Sequence, residues 1–206
     1  MPTRWYRELK REHYYRSAKS EGYRARSAYK LLQINKRYRV IKKGDVVIDL
    51  GAAPGGWSQV AVELGATVIA VDIQRIKPIE GVKFIQGDMT DDETMGRLRA
   101  EVAGLPGAEL SGSGIDVVIS DMSPNLSGNY VMDQARSVWL SKNALDVACE
   151  LLSEKGNFVC KVFMGEDYPQ FLGDVKRHFG MVKAHSPEAS RKRSSEIYII
   201  AKNFKG

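Results

Sequence analysis

The 206-residue sequence predicts an α/β fold, a mostly parallel seven-stranded sheet with helices on both faces. Three observations predict it. Short apolar runs alternate with longer helical patterns from Val46 onward, and a glycine-rich turn joins the first run to a helix. The last two runs have only a short stretch between them, too little for a crossover helix, so they are expected to pair antiparallel.

Residues 4–19 and 27–39 read as helices. Ser27 is the candidate N-cap of the second, and Ala28, Leu31, Leu32 and Ile34 form its apolar stripe. Strands are expected at Val46–Leu50, Thr67–Val71, Val82–Ile85, Ile115–Ser120, Phe158–Val162 and Ile197–Ala201, with a seventh at Met181–Ala184. Several of these runs are apolar at consecutive positions, as strands buried on both faces are. Helical patterns separate most of them, at Glu93–Val102, Val131–Leu152 and Tyr168–Phe179. Gly104–Gly114, rich in Gly and Ser, reads as a surface connection, and Ser186–Ser195 links the last two strands. A chain of 206 residues fits one domain, and no internal repeat is visible.

Hydrophobic residues make up 43% and charged residues 27%, as in globular proteins. No apolar run approaches the roughly 20 residues of a membrane span. Cys149 and Cys160 lack C-x-x-C spacing, and His13, His178 and His185 are scattered, so we expect reduced thiols in a cytoplasmic protein and no metal site. The net charge of +6 is polarised: residues 1–43 hold 14 Lys or Arg against 3 Glu, a net of +11, and the remainder carries −5. Trp5, Tyr6, Tyr14, Tyr15, Tyr23, Tyr29 and Tyr38 interleave with this charge, and aromatic and basic side chains together suit unpaired bases and phosphates. A basic helical segment over residues 1–43 that binds nucleic acid is therefore expected. Glu8, Glu12 and Glu21 argue against a mitochondrial presequence.

The segment Asp49-Leu50-Gly51-Ala52-Ala53-Pro54-Gly55-Gly56-Trp57 ends the first strand and is expected to open a helix near Ser58. Its glycines permit a tight turn and close approach of a ligand, and the helix start offers N–H groups to an anion. Asp72 ends the second strand, where an acidic side chain takes ribose hydroxyls in nucleoside-binding βαβ units, and Asp88 follows the third strand on the same sheet edge. The turn lacks both G-x-G-x-x-G and G-x-x-x-x-G-K-[ST], which disfavours dinucleotides and nucleoside triphosphates. A nucleoside with a short charged tail remains.

With Ser27-Ala28-Tyr29-Lys30-Leu31, Asp49–Trp57, Asp72, Gly87-Asp88, Ser120–Asn125, Lys161-Val162-Phe163 and Ser195-Glu196-Ile197-Tyr198, the sequence resembles the FtsJ/RrmJ-type RNA ribose 2′-O-methyltransferases over nearly its whole length. The resemblance implies a Rossmann-like methyltransferase sheet with an antiparallel last strand and S-adenosylmethionine as cofactor. It implies that Gly51, Pro54, Gly55, Gly56 and Trp57 hold the methionine end, Asp72 the ribose and Asp88 the adenine, with Asp121 also beside the cofactor. The compact size resembles the ribosomal type, implying a uridine of large-subunit ribosomal RNA, or the large ribosomal subunit, as substrate. Transfer RNA is the alternative.

Methyl transfer from a sulfonium to a hydroxyl requires in-line positioning and removal of one proton. The donor is already activated, so no metal is required. Lys30, Asp121, Lys161 and Glu196 match the family's Lys-Asp-Lys-Glu tetrad. Lys161 lies within an apolar strand, where an ammonium needs a carboxylate partner, and Asp121 and Glu196 are both expected to reach it. Burial and neighbouring cations would let Lys161 take the hydroxyl proton, whereas its carboxylate partners favour the charged form, so Lys161 is read either as the base or as an orienting group; Asp121 and Glu196 would hold it, and Lys30 would orient the ribose. Arg191-Lys192-Arg193, just before Glu196, is a candidate phosphate clamp.

Other patterns carry less. Ser27-x-x-Lys30 lacks the S-D-N and K-T-G partners of penicillin-interacting enzymes. Asn125-Leu126-Ser127 fits a glycosylation acceptor without a signal peptide. Asp121-Met122-Ser123-Pro124 lacks the first proline and the aromatic of amino-group methyltransferases. Cys160, beside the proposed site, lacks the Pro-Cys motif of covalent base methylation. A nicotinamide oxidoreductase and a non-catalytic ribosome-assembly module are the readings from other classes.

Overall fold

The computed structural model describes residues 21–105, 114–189 and 195–206. The predicted helix 4–19, most of the Gly/Ser-rich connection and Arg191-Lys192-Arg193 lie outside them. Seven strands form one sheet: β1 (Val46–Leu50), β2 (Thr67–Asp72), β3 (Val82–Gln86), β4 (Ile115–Ser120), β5 (Leu152–Phe163), β6 (Phe179–His185) and β7 (Glu196–Phe204). Their order is β3-β2-β1-β4-β5-β7-β6. The first five are parallel, whereas β7 runs antiparallel to both β5 and β6, as the short link between the last two strands requires. The strand order reverses between β1 and β4, and ligands of open α/β sheets bind at the carboxyl ends of strands flanking such a reversal.

Helices α1 (Ala28–Tyr38), α2 (Gly56–Glu63), α3 (Asp92–Ala103), α4 (Tyr130–Leu151) and α5 (Tyr168–His178) cover the sheet. Alternation along the strands divides the core. Val47, Val117, Ile119, Val159, Tyr198 and Ile200 face α1 and α2, whereas Ile48, Leu50, Val118, Cys160, Val162 and Ile199 face the other helices. In α1 the residues Ala28, Leu31 and Ile34 are fully buried, and Lys30 lies on the same buried face. The helix ends at Arg39 in the left-handed region (φ 49°), where buried Asn35 clamps the turn: its side chain donates to the Ile41 carbonyl (3.1 Å) and accepts from the Ile41 N–H (2.8 Å).

Four expectations are corrected. Ser27 precedes α1, but its backbone is already helical and its hydroxyl caps nothing. The second helix starts at Gly56 rather than near Ser58, because Gly55 at φ 105° turns the chain earlier. β5 begins at Leu152, six residues before the predicted start: Leu152 pairs with Ile115 beyond a bulge, so the polar stretch Ser153–Asn157 runs on inside the strand. Finally, β7 reaches Phe204, because its far end must pair with Phe179 on β6 as well as with β5.

Candidate active site

Asp88, Asp72, Gly51 and Asp121 each follow or end one of the strands β3, β2, β1 and β4, which are neighbours in that order. They therefore line one sheet edge in sequence. Gly51 has φ 73°, and a Cβ there would stand 2.2 Å from Met122 Cγ, so the turn admits no side chain. The Ala53–Pro54 peptide is cis. Asp72 organises the turn, with Oδ2 accepting from the Ala53 N–H (2.8 Å) and Oδ1 from the Gln74 N–H (2.7 Å). Asp88 is exposed, and its Oδ1 accepts from the Thr90 N–H (2.9 Å) and hydroxyl (2.8 Å). Gly56 opens α2, and Trp57 is buried, its indole N–H donating to the Ser27 carbonyl (2.9 Å). Beneath the turn, Arg24 straps the chain before α1 to the Lys77 and Pro78 carbonyls (2.5 and 2.7 Å) and passes beside Gly55.

The edge fits a ligand such as S-adenosylmethionine on three grounds. It offers carboxylates for hydroxyls, a backbone cradle that a Cβ would fill, and a negative field for a cationic group. Asp49 is fully buried below the turn. Desolvation, opposed by the Ser58 hydroxyl (2.6 Å from Oδ2) and reinforced by the charges of Asp121 and Asp72, pushes its carboxyl from the ordinary 3.8 up to about 7. Its Oδ1 has no hydrogen-bond partner among the described residues.

Stability should register this proton. An unfolded Asp49 ionises near 3.8 and the folded one near 7, so the folded state holds the extra proton between these values. The stabilisation is complete below the lower value, shrinks as pH rises and is gone above the upper one. Asp49→Asn removes the titration. Denaturant unfolding of both proteins at pH 5 and pH 8 should show wild type losing about 2–3 kcal/mol relative to the variant. Equal pH slopes would show that Asp49 is ionised throughout.

At the β4–β5–β7 end, the predicted tetrad meets in two pairs joined by a phenol. The Lys161 ammonium donates to the Asp121 carbonyl (2.6 Å) and carboxylate (Oδ1, 3.1 Å). The Lys30 ammonium donates to Glu196 Oε1 (2.6 Å). Between them the Tyr198 hydroxyl accepts from Lys30 (2.9 Å) and donates to Asp121 Oδ1 (2.7 Å). The side chains of Lys161 and Lys30 are 6% and 10% exposed, low enough that each needs its carboxylate. The expectation that Glu196 pairs with Lys161 is thus corrected to a pairing with Lys30. The reason is register: Lys161 stands opposite Tyr198, and Glu196 stands opposite Phe163, nearer α1.

Tyr198 was not assigned a role from sequence. A signal existed, since a strand's period of two puts Glu196 and Tyr198 on one face. The phenol is fully buried, and burial together with Asp121 and Glu196 holds its proton on well above the ordinary range. It is a fixed donor to Asp121. Trp57 packs on its ring (centroids 5.7 Å apart), tying the glycine turn to the tetrad. Behind Lys161, the buried hydroxyls of Ser137 and Ser141 on α4 hold the strand, Ser141 donating to the Lys161 carbonyl (2.9 Å) and Ser137 accepting from the Phe163 N–H (3.0 Å). Cys160 points to the opposite face from Lys161, and burial pushes its thiol far up, so it is no nucleophile for this site. Among the described residues, no group of three His, Cys, Asp or Glu is arranged for a metal, and no helix is long and apolar enough to cross a membrane.

The FtsJ-like methyltransferase family model matches residues 23–204, spanning both the glycine turn and the tetrad. The chain belongs to this family. A ribosomal RNA large subunit methyltransferase E of Archaeoglobus fulgidus is 50% identical over 196 residues, covering 95% of this chain and 97% of the relative. The protein of that name from Methanothermobacter thermautotrophicus is 48% identical and covers all of this chain and 96% of its own. Among solved structures, a Plasmodium falciparum protein assigned as a ribosomal RNA methyltransferase aligns with a TM-score of 0.77 at 27% identity, covering 89% of this chain and all of that one. This FtsJ-like chain is accordingly a methyltransferase with a Rossmann-like fold.

Proposed function

We propose that this FtsJ-like methyltransferase moves a methyl group from S-adenosylmethionine to a ribose 2′-hydroxyl of large-subunit ribosomal RNA. The observation that carries the reading is the buried Lys161 held by Asp121 at the strand reversal, next to the carboxylate-lined edge. S-adenosylmethionine supplies a methyl on a cationic sulfonium. The glycine turn and α2 would hold its amino-acid end, Asp72 its ribose hydroxyls and Asp88 its adenine. Carboxylates that already accept from backbone N–H groups keep lone pairs for these contacts. The Lys161 amine would take the hydroxyl proton, a task worth about 10²–10⁴ in rate. Lys30, fixed by Glu196 and Tyr198, is placed to orient the ribose.

Residues 1–43, with a net charge of +11, supply the phosphate contacts in this reading. The relatives' names favour ribosomal RNA as the substrate. Labelled methyl from S-adenosylmethionine, offered to undermethylated large ribosomal subunits, their naked RNA and transfer RNA, is expected to enter large-subunit RNA. Label in transfer RNA alone would move the substrate assignment there. Cofactor binding without label in any RNA would favour an assembly role.

A further inference from the structure

The mouth of this site carries an apolar rim that the tetrad does not use. Leu126, Tyr130 and Val131, in the loop after β4 and the first turn of α4, are 71%, 63% and 68% exposed, and Met164, three residues beyond Lys161, is 45% exposed. They belong to one place. Gln134, one helical turn after Tyr130, donates to the Met164 carbonyl, and a Cβ on Gly165 would collide with the Gln134 side chain, so the chain leaving β5 passes directly against α4. The loop is fixed too: Asp133 Oδ1 accepts from the Ser127 N–H and hydroxyl, both at 2.8 Å. Gln134, Ser137 and Ser141 continue the row begun by Tyr130 down the sheet-facing side of α4 and are buried. Because α4 starts at the carboxyl edge of the sheet, Tyr130 projects that row past the strand ends, at the same edge as Asp121 and the end of β5.

We propose that Tyr130, with Met164 on the same rim, stacks an unpaired nucleobase, the base of the nucleotide whose ribose faces Lys161. The inference rests on the RNA ribose reading given above. In any nucleotide the base is joined to the carbon next to the one bearing the 2′-hydroxyl, so a ribose brought to Lys161 brings its base to this rim. In a helix that base is stacked on its neighbours, and a protein that splays it out must replace the lost stacking with an aromatic or apolar face. Tyr130 and Met164 provide such a face, and stacking on a π-surface tolerates any base.

The test compares Tyr130→Ala, Tyr130→Leu and Tyr130→Trp with wild type, using undermethylated large ribosomal subunits as substrate and measuring S-adenosylmethionine affinity separately. At an exposed position none of these should disturb the fold. Tyr130→Ala and Tyr130→Leu are expected to lower kcat/KM for RNA by about five- to a hundredfold, with Tyr130→Trp within about twofold of wild type and cofactor affinity unchanged. Wild-type rates in Tyr130→Ala would overturn the proposal while leaving the methyltransferase reading intact. Rescue by Leu as well as Trp would also overturn it, pointing to an apolar contact with a ribosomal protein. No transfer by wild type to any RNA would remove the ribose reading and this proposal together.

Discussion

Lys161→Arg is expected to abolish most methyl transfer, lowering kcat by about 10²–10⁴ while S-adenosylmethionine still binds. Arginine keeps the positive charge and a donor toward Asp121, yet it cannot give up a proton near neutral pH. The substitution therefore separates a proton acceptor from an orienting cation. Lys161→Met, which removes both roles at similar length, should lose as much. Single-turnover rates with saturating cofactor make the comparison, and thermal unfolding checks that the larger guanidinium fits a site only 6% exposed. An arginine variant within a few fold of wild type would show that Lys161 merely orients the ribose.

The second large effect is expected at Asp121. Its Oδ1 accepts from both the Lys161 ammonium and the Tyr198 hydroxyl, so Asp121→Ala leaves a buried cation and a buried phenol each short of a partner. Leaving such groups unmet costs about 1–3 kcal/mol apiece, and breaking a buried ion pair about 3–5. The Asp121 carbonyl still accepts from Lys161 at 2.6 Å, which keeps the loss lower, at about 2–3 kcal/mol. For a chain of this size that corresponds to a fall in Tm of about 5–10 °C, together with loss of transfer. Asp121→Asn retains an acceptor for both groups and should recover most of the Tm without the activity. Equal melting of Asp121→Ala and wild type would mean that the pair is not formed in solution.

How much of this was legible in the sequence depends on what each feature requires. The sheet was legible because its central strands are apolar on both faces, and β4 runs from Ile115 to Ser120 as expected. Extensions were not: Leu152 and Phe204 join the sheet because a neighbour pairs with them, and pairing leaves no mark on a polar stretch such as Ser153–Asn157. The tetrad was legible as residue types at strand ends and within an apolar run. Who pairs with whom was not, because a carboxylate's reach depends on antiparallel register, which seats Tyr198 opposite Lys161 and carries Glu196 toward Lys30. The proton on Asp49 was equally hidden, since it depends on complete burial beneath α2 with Asp72 and Asp121 nearby.

The chemical position of the transferred methyl distinguishes ribose methylation from base methylation. Undermethylated large subunits are incubated with labelled S-adenosylmethionine and either wild type or Lys161→Ala, and the extracted RNA is hydrolysed in alkali. Alkaline cleavage needs a free 2′-hydroxyl, so a ribose-methylated linkage survives and releases its label in a dinucleotide. Label is expected in such an alkali-stable dinucleotide with wild type and none with Lys161→Ala. Label in mononucleotides, which places the methyl on a base, or undiminished label with Lys161→Ala, would contradict this expectation.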